Sequence, residues 1–265
     1  MLKGILFDLD DTLIDWSDFS DNWEVRELQH LRGVYDYVHR EVHPLSVDLE
    51  TYAQEYYKRV RDAWMGARES LLAPHLGRIL LETAQHMGAP ADKLDMQRCL
   101  DEYRWAAPQS TSAFPDAREG LQILRAHGIR VGIVTNAFQP MSLRDIEMRA
   151  HGLLEFFPDC RISAADVGYL KPHPTIFKTA LECLGTKPEE TLFVGDNPVA
   201  DIAGAQGAGL KGVLRVKHPT QPLISGVIVP DGAINTLHDL LLLLDKWYPG
   251  WRSTSSSPHK IAISS

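Results

Sequence analysis

Cysteine is scarce in this chain, and its scarcity excludes several kinds of site. The 265 residues include three cysteines, Cys99, Cys160 and Cys183. They lie too far apart in sequence for a CxxC metal site, and they are too few for a disulfide framework. We therefore expect all three to be reduced and buried, as small apolar side chains in a cytoplasmic protein.

The chain also lacks long apolar runs and an excess of basic residues. Leu240 to Leu244 is the longest apolar run near its end, far too short to cross a bilayer, and no basic-then-apolar leader precedes Leu2. The net charge of -8 argues against nucleic acid as a main partner, because phosphate backbones select basic surfaces. We predict a cytoplasmic protein without a membrane or nucleic-acid partner, and both a monomer and a homodimer remain open. A small phosphorylated partner needs only local positive charge.

The second half of the chain alternates helical patterns with short apolar runs. Such runs are typical of buried parallel strands. They cover residues 129–134, 160–163, 191–194 and 212–216, with a weaker run at 226–229 and an earlier one that begins at Gly4. This alternation predicts an α/β fold in which helices cover both faces of a parallel sheet.

A long helical stretch separates the first strand from that region. Four helical patterns fill residues 16–109, and we expect them to form a small bundle. Asp18, Ser20 and Asp21 are N-cap candidates for the first helix, and Gly66 is a candidate end for the second. The predicted domains are a core of residues 1–15 and 110–250, the helical insertion, and a disordered Ser-rich tail at 252–265.

An aromatic stripe marks the second predicted helix of the insertion. It consists of Tyr52, Tyr56, Tyr57 and Trp64. These side chains could line a substrate pocket, but a stripe with helical period more often packs a core. We favour the core interpretation.

Three carboxylates follow the first strand within four residues: Asp8, Asp10 and Asp11. Ligands of open α/β sheets bind at the carboxyl ends of the strands, which is where these acids lie. Like charges this close repel unless a cation is shared among them. The pattern indicates a divalent-metal site with one carboxylate left free to attack. A solvated acidic turn is the alternative at this stage.

Polar residues mark four strand ends in all. Besides the first acidic segment they are Thr135 with Asn136, the loop around Lys171, and Asp196 with Asp201. In this order they resemble the four motifs of the haloacid dehalogenase (HAD) superfamily, which consists mostly of Mg²⁺-dependent phosphatases. The matching segments are Asp8, Asp10 and Thr12 (DxDxT), Thr135, Lys171, and Gly195 through Asp201 (GDxxxxD).

The resemblance extends to about residue 245 and implies a Rossmann-like core with a helical cap, as in the C1-capped branch of the superfamily. It implies that Asp8 is the nucleophile and a metal ligand. Asp10 would offer its backbone carbonyl to the metal and serve as general acid and base, while Asp196 would offer a carboxylate. Thr135 and Lys171 would be catalytic and bind the substrate phosphate together with Asp11 and Asn136. Thr12, Asn197 and Asp201 would orient the metal ligands or Lys171.

The activity implied by the resemblance is Mg²⁺-dependent hydrolysis of a small phosphorylated metabolite through an aspartyl-phosphate intermediate. Asp10 argues against a 2-haloacid dehalogenase, because a halide leaving group needs no proton. A catalytically silent protein that binds a phosphorylated ligand or a partner is the other alternative. Helical patterns in the insertion do not identify the substrate.

Overall fold

A six-stranded parallel sheet lies at the centre of the molecule. The computed structural model describes residues 1–19, 22–217 and 228–253. Its strands are β1 (Gly4–Phe7), β2 (Ile14–Asp15), β3 (Ser112–Ala113), β4 (Arg130–Thr135), β5 (Cys160–Ser163), β6 (Thr191–Gly195), β7 (Lys211–Arg215) and β8 (Gly232–Ile234). The sheet has the order β5-β4-β1-β6-β7-β8 with every neighbouring pair parallel, and β2 pairs with β3 in a separate antiparallel ribbon. The predicted α/β fold is confirmed.

Helices surround this sheet and fill the insertion. They are α1 (Trp23–Tyr37), α2 (Leu49–Ser70), α3 (Leu76–His86), α4 (Met96–Tyr103), α5 (Ala117–Ala126), α6 (Met141–Ala150), α7 (Ala164–Val167), α8 (Pro174–Leu184), α9 (Gly204–Gly207) and α10 (Leu237–Trp247). None of the helices in the described part of the chain is both long and apolar enough to span a membrane.

The sheet is buried on both faces, as the apolar runs predict. Ile5 and Phe7 of β1 point into a cluster that contains residues of α5 and α10, whereas Leu6 points into another that contains Ile176 and Phe177 of α8. Successive side chains of a strand point to opposite faces, so one short strand contributes to both clusters. Because both faces of β1 are buried, its sequence is a continuous apolar run rather than an alternation of apolar and polar residues.

The register of the central strands sets the position of everything at their carboxyl ends. Phe7 in β1 lies opposite Ile133 in β4 and Val194 in β6. All three strands run in the same direction and therefore end at the same edge of the sheet. Residues that follow them in sequence are brought together there, although they are far apart along the chain.

The four helices between β2 and β3 pack in a closed arrangement. Contacts join α1 to α2, α2 to α3, α3 to α4 and α4 back to α1. Tyr52 and Tyr56 are buried in the apolar cluster among these helices. These two members of the aromatic stripe therefore pack a core, as predicted, while Trp64 contacts Phe138 with ring centroids 6.3 Å apart.

Two helix ends differ from the predictions. The N-cap of α1 is Asn22, whose side chain accepts hydrogen bonds from the backbone N–H groups of Glu24 and Val25. Asp18 lies before that cap, and Ser20 and Asp21 lie outside the described residues. Helix α2 continues through Gly66 to Ser70, since packing along the helix outweighs the modest cost of an interior glycine.

The last strand and the tail also require correction. The last strand in the described part of the chain is β8, not residues 226–229, of which 226 and 227 lie outside the described residues. Val229 is 73% exposed, and Pro230 has no N–H to donate to a sheet. Of the predicted disordered tail, residues 252 and 253 belong to the 3-10 turn Trp251–Ser253. The remainder of the tail lies outside the described residues.

The expectation of three reduced cysteines is wrong for two of them. Cys160 at the start of β5 and Cys183 in α8 form a disulfide, because the packing of α8 against β5 brings them together across 23 residues. Cys99 is free and buried, as expected. The predicted cytoplasmic location therefore loses the support of the cysteines and remains a prediction.

The β2–β3 ribbon lies at the two predicted boundaries of the insertion. Ile14 pairs with Ala113 there, so the chain leaves and re-enters the sheet region at one place. Backbone hydrogen bonds from Leu76 to the Phe138 carbonyl and from Leu170 to the Leu71 carbonyl, both 2.8 Å, join the insertion to the rest of the molecule at other points. The division into a core and a cap remains a proposal.

Two glycines of the insertion provide a test of its packing. A Cβ at Gly33 in α1 would overlap the backbone carbonyl oxygen of Glu102 in α4, whereas a Cβ at Gly66 would meet no atom within 4 Å. We expect Gly33→Ala to lower the free energy of unfolding by about 1–3 kcal/mol through overpacking. Gly66→Ala is the control and should raise it by up to about 1 kcal/mol. Urea denaturation measures both, and equal effects would contradict the close approach of α1 and α4.

Candidate active site

A cavity of about 510 Å³ opens at the carboxyl edge of the sheet. Its walls include nine of the ten residues that the sequence predicts for the site: Asp8, Asp10, Asp11, Thr135, Asn136, Lys171, Asp196, Asn197 and Asp201. The tenth, Thr12, is buried and donates a hydrogen bond to Asp8 Oδ2 at 3.3 Å. The structure thus brings all four sequence segments to one place, as the parallel strand ends require.

The innermost part of the cavity is a buried group of three charges. Lys171 Nζ lies 2.6 Å from Asp8 Oδ1 and 2.7 Å from Asp201 Oδ1. Although burial alone would lower the pKa of Lys171, the two carboxylates raise it above its usual value. The lysine is therefore a fixed positive charge and does not serve as a proton donor at neutral pH.

Neighbouring polar groups hold Lys171 in this position. Asn136 and Lys171 are joined by two hydrogen bonds: Asn136 Nδ2 donates to the Lys171 carbonyl at 3.0 Å, and the Lys171 N–H donates to Asn136 Oδ1 at 2.7 Å. The side chain of Asn136 is thus committed to the loop that carries the lysine. Its predicted contact with a substrate phosphate remains a prediction, and it would have to come from another atom of the residue.

Asp201 is fixed by the segment that carries the fourth motif. Its Oδ2 accepts a hydrogen bond from the Asn197 N–H at 2.9 Å. Asn197 in turn caps the following turn by accepting from the N–H groups of Val199 and Ala200. A Cβ at Gly195 would overlap the Asp201 carboxylate, which explains the glycine at that position. These contacts fit the predicted role of Asp201 and Asn197 in orienting their neighbours.

Burial disfavours the charged forms of Asp8 and Asp196. It raises the pKa of Asp8 well above its usual value, an effect that Lys171 opposes and Asp201 and Asp10 strengthen. It also raises the pKa of Asp196 to about 6, with further contributions from Asp201 and Asp11. One lysine therefore does not supply enough positive charge for this group of carboxylates.

The donor set fits a hard divalent cation. Asp8, Asp196 and Asp201 can each offer a carboxylate oxygen, and these oxygens lie within 4.8 Å of one another. Both oxygens of Asp201 already have partners, whereas no residue in the described part of the chain donates a hydrogen bond to the Asp196 carboxylate. Carboxylate and carbonyl oxygens are the ligands that Mg²⁺ prefers. Both oxygens of Asp8 likewise have partners, in Lys171 and Thr12, so Asp196 is the carboxylate of the three whose oxygens are open to a cation.

Asp10 also lies in the wall of the cavity. Its Oδ1 accepts hydrogen bonds from Trp16 Nε1 at 2.9 Å and from Arg144 Nη2 at 2.5 Å. Thr135 Oγ1 lies 3.4 Å from its other oxygen, Oδ2. Two donors therefore hold Oδ1, whereas Oδ2 has only the longer contact from the Thr135 hydroxyl among the described residues.

Asp11 is engaged elsewhere. Its carboxylate pairs with Lys217, and its N–H donates to the Ile14 carbonyl at 2.7 Å. It has a left-handed backbone conformation, with φ of 61°, in the turn after Asp10. A contact between Asp11 and a substrate phosphate remains a prediction.

The comparison with known protein families agrees with this geometry. The model of the haloacid dehalogenase-like hydrolase family matches residues 2–209. This chain belongs to that family. The superfamily predicted from the four sequence motifs is thereby confirmed.

Relatives with curated functions include several phosphatases. The chain is 30% identical over 213 residues to glyceraldehyde 3-phosphate phosphatase from Pyrococcus abyssi, covering 80% of this chain and 81% of that protein. It is 30% identical over 214 residues to pyrophosphatase PpaX from Bacillus cereus, covering 79% and 81% of the two proteins. It is also 29% identical over 217 residues to ribulose-1,5-bisphosphate 5-phosphatase from Halopiger xanaduensis, covering 81% of this chain and 84% of that protein.

Solved structures give the same fold. A HAD phosphatase from Thermococcus onnurineus has a TM-score of 0.57 and 26% identity, covering 92% of this chain and 98% of that chain. A 2-haloacid dehalogenase from Pseudomonas syringae has a TM-score of 0.61 and 24% identity, covering 93% and 100% of the two chains. The second likeness shows the fold alone.

Arg144 and Glu147 lie outside the four HAD motifs, and the sequence analysis missed them. Arg144 is 3% exposed, and its guanidinium joins Asp10 to Glu147, whose Oε2 lies 2.8 Å from Nη1. Both stand on the buried face of α6 with Met141 and Met148. Charged residues at core positions of a helix were the signal that could have revealed them.

The Arg144–Glu147 pair is expected to couple the two residues energetically. Arg144→Met leaves Glu147 buried without its partner, so the free energy of unfolding should fall by about 3–5 kcal/mol. In the double variant Arg144→Met/Glu147→Leu, apolar groups replace both charges, and most of that loss should be recovered. Chemical denaturation of the single and double variants measures the interaction free energy of the two residues. If the losses in unfolding free energy are additive, the two residues are independent.

The burial of Glu147 leads us to predict that the stability of this HAD-like hydrolase depends on pH. Burial raises its pKa to about 7, although Arg144 opposes the shift. Between its usual pKa and about 7, the folded state holds a proton that the unfolded state has released, so stability falls as pH rises through this window. Each pKa unit corresponds to about 1.4 kcal/mol.

We therefore expect Glu147→Gln to reduce the loss of stability that accompanies a rise in pH. The difference in unfolding free energy between about pH 5 and about pH 8 should shrink by up to about 3 kcal/mol relative to the wild type. Urea denaturation at the two pH values tests this. An unchanged difference would mean that Glu147 is charged throughout.

Proposed function

We propose that this protein is a Mg²⁺-dependent phosphomonoester hydrolase that acts on a small phosphorylated metabolite through an aspartyl-phosphate intermediate. The observation that carries the proposal is the contact between Asp8 and Lys171 inside a cavity that Asp10, Thr135 and Asp196 also line. A carboxylate that could attack phosphorus, a buried cation and a second carboxylate around one space support the proposal.

The enzyme class itself is that of a HAD-type phosphatase. The family match and the relatives named as phosphatases support this assignment. Their named substrates include glyceraldehyde 3-phosphate and ribulose 1,5-bisphosphate, both small phosphorylated molecules. The same broad substrate class is therefore the starting point for this chain.

Asp8 and Asp196 would hold Mg²⁺ through their carboxylates, and Asp10 through its backbone carbonyl. When bound, the ion supplies positive charge that offsets the repulsion between an anionic phosphate and the Asp8 carboxylate. Lys171 would contribute a second positive charge, and Thr135 would donate a hydrogen bond to a phosphate oxygen.

In the first step, an oxygen of the Asp8 carboxylate attacks phosphorus, and the bond from phosphorus to the leaving-group oxygen breaks. Asp10, protonated at Oδ2, gives its proton to that oxygen, so the product leaves as a neutral alcohol. The hydrogen bonds that Trp16 and Arg144 donate to Oδ1 fix the orientation of the carboxyl group.

In the second step, Asp10 accepts a proton from water as the water oxygen attacks the phosphorus of the Asp8 acyl phosphate. The bond between phosphorus and the Asp8 oxygen breaks, inorganic phosphate is released, and Asp8 returns as a carboxylate. Asp10 regains the proton that it gave in the first step, so the cycle closes.

The helical insertion would serve as a cap over this chemistry. The proposed division places residues 16–109 in the cap and residues 1–15 with 110–250 in the core. Trp23, the first residue of α1, and Trp105, which follows α4, line the cavity together with the core residues. Movement of the cap about the β2–β3 ribbon would admit substrate and then exclude water.

Asp10 remains the argument against a dehalogenase, because that reaction has no alcohol to protonate. The complete set of Asp8, Asp10 and Lys171 argues against a silent binding protein, which would need no acid beside the nucleophile. Halide release from 2-haloacids without Mg²⁺, or tight ligand binding without turnover, would support these alternatives instead.

Hydrolysis of p-nitrophenyl phosphate is the first test. We expect activity with Mg²⁺, none with EDTA, and a loss of roughly three orders of magnitude or more in Asp8→Asn, since the amide cannot attack phosphorus. The variant should fold, because Lys171 keeps its contact with Asp201. Asp62→Asn, at an exposed position of α2, is the control and should keep wild-type activity.

Full Mg²⁺-dependent activity in Asp8→Asn would overturn the nucleophile assignment. If the wild type fails to turn over this surrogate, a panel of natural phosphates decides. Hydrolysis of one of them supports the proposal, and binding without hydrolysis across the panel favours the silent protein.

A further inference from the structure

One wall of the active-site cavity is aromatic. Trp16, Trp23 and Trp105 line it, and Phe19 connects the first two. Ring centroids are 5.3 Å apart for Trp16 and Phe19, 5.5 Å for Phe19 and Trp23, and 6.4 Å for Trp23 and Trp105. We call these four residues the aromatic wall.

The aromatic wall begins beside the reacting groups and extends away from them. Trp16 donates its indole N–H to Asp10 Oδ1, so its ring is held one hydrogen bond from the proposed acid. Trp23 begins α1 and is 38% exposed, whereas Trp105 follows α4 and is buried. A leaving group that takes its proton from Asp10 therefore lies next to these rings.

The charges of the cavity oppose a second anionic group on the substrate. Five aspartates line it: Asp8, Asp10, Asp11, Asp196 and Asp201. Its two cations in the described part of the chain are both paired twice, Lys171 with Asp8 and Asp201, and Arg144 with Asp10 and Glu147. Neither cation is free to bind a carboxylate or a second phosphate on the leaving group.

We propose that the substrate is a phosphomonoester whose leaving group carries an uncharged aromatic ring, packed on the aromatic wall, and no second anionic group. The proposal rests on the proposed phosphatase function and deepens it. It also separates this chain from the pyrophosphatase and the bisphosphate phosphatase among its relatives, whose named substrates carry further phosphate.

The aromatic wall should act mainly on binding. An aromatic ring of the substrate would contact Trp23 equally in the ground state and in the transition state, because no charge develops there. Loss of that contact should therefore raise KM and leave kcat nearly unchanged. A merely structural defect would lower the amount of active enzyme and reduce kcat instead.

Two matched pairs of substrates test the proposal on the Mg²⁺-loaded wild type. Benzyl phosphate and cyclohexylmethyl phosphate are both esters of primary alcohols and have similar size, but only the first is aromatic. We expect kcat/KM to be about threefold to tenfold higher for benzyl phosphate, the range that aromatic pairing supplies. Propyl phosphate should exceed carboxyethyl phosphate by a similar or larger factor, because neither cation of the cavity in the described part of the chain is free to pair with the carboxylate.

Variants then locate the effect. Trp23→Leu should lose the preference for benzyl phosphate through KM, and Trp23→Phe should keep most of it. The partly exposed position of Trp23 makes both variants compatible with folding. Trp247→Leu is the matched control, since Trp247 lies in α10 and packs against core residues rather than the cavity.

The outcomes are distinct. Three results would overturn the inference: equal hydrolysis of the first pair, preference for the anionic member of the second pair, or an unchanged preference in Trp23→Leu. Mg²⁺-dependent hydrolysis in the same experiments would still support the phosphatase proposal. Absence of hydrolysis for every phosphate tested, including p-nitrophenyl phosphate, would overturn the phosphatase proposal and this inference with it.

Discussion

The buried contact of Lys171 with Asp8 and Asp201 is the constraint on which the rest of the site depends. Charged groups removed from water are stable only when each meets an opposite charge at close range, and loss of one partner leaves another charge unpaired. The three residues follow different strands or loops, so their contact requires those segments to end at the same level. The parallel sheet provides this through the register of β1 with β4 and β6, and Asn136 at the end of β4 holds the Lys171 loop at the same edge.

A second group of buried charges connects the site to helix α6. Arg144 of α6 joins Asp10 to Glu147, so the acid proposed to serve the leaving group is connected to the interior of a helix. Trp16 reaches the same carboxylate oxygen from the start of the insertion. Asp10 is therefore held by α6 and by Trp16, and this arrangement would link the proposed acid to the aromatic wall.

Much of the fold and of the site was predictable from local patterns. Apolar runs located the strands at β1, β4, β5, β6 and β7, and the helical period located the insertion helices. The errors came where tertiary packing outweighed a local signal. Gly66 lies inside α2, β8 lies after Pro230, and Cys160 meets Cys183 across neighbouring elements. Neither glycine propensity nor cysteine spacing contains information about those long-range contacts.

The sequence by itself determined the family, the α/β class and the polar residues at the strand ends. It could do so because strand direction and side-chain period are local, and because parallel strands bring their carboxyl ends to one edge. Only the tertiary structure decided that Arg144 and Glu147 join the site, that Asn136 is committed to the Lys171 loop, and which tryptophans face the cavity. Those facts depend on how separate helices pack against the sheet. Residues that meet only through such packing have no characteristic spacing in the sequence.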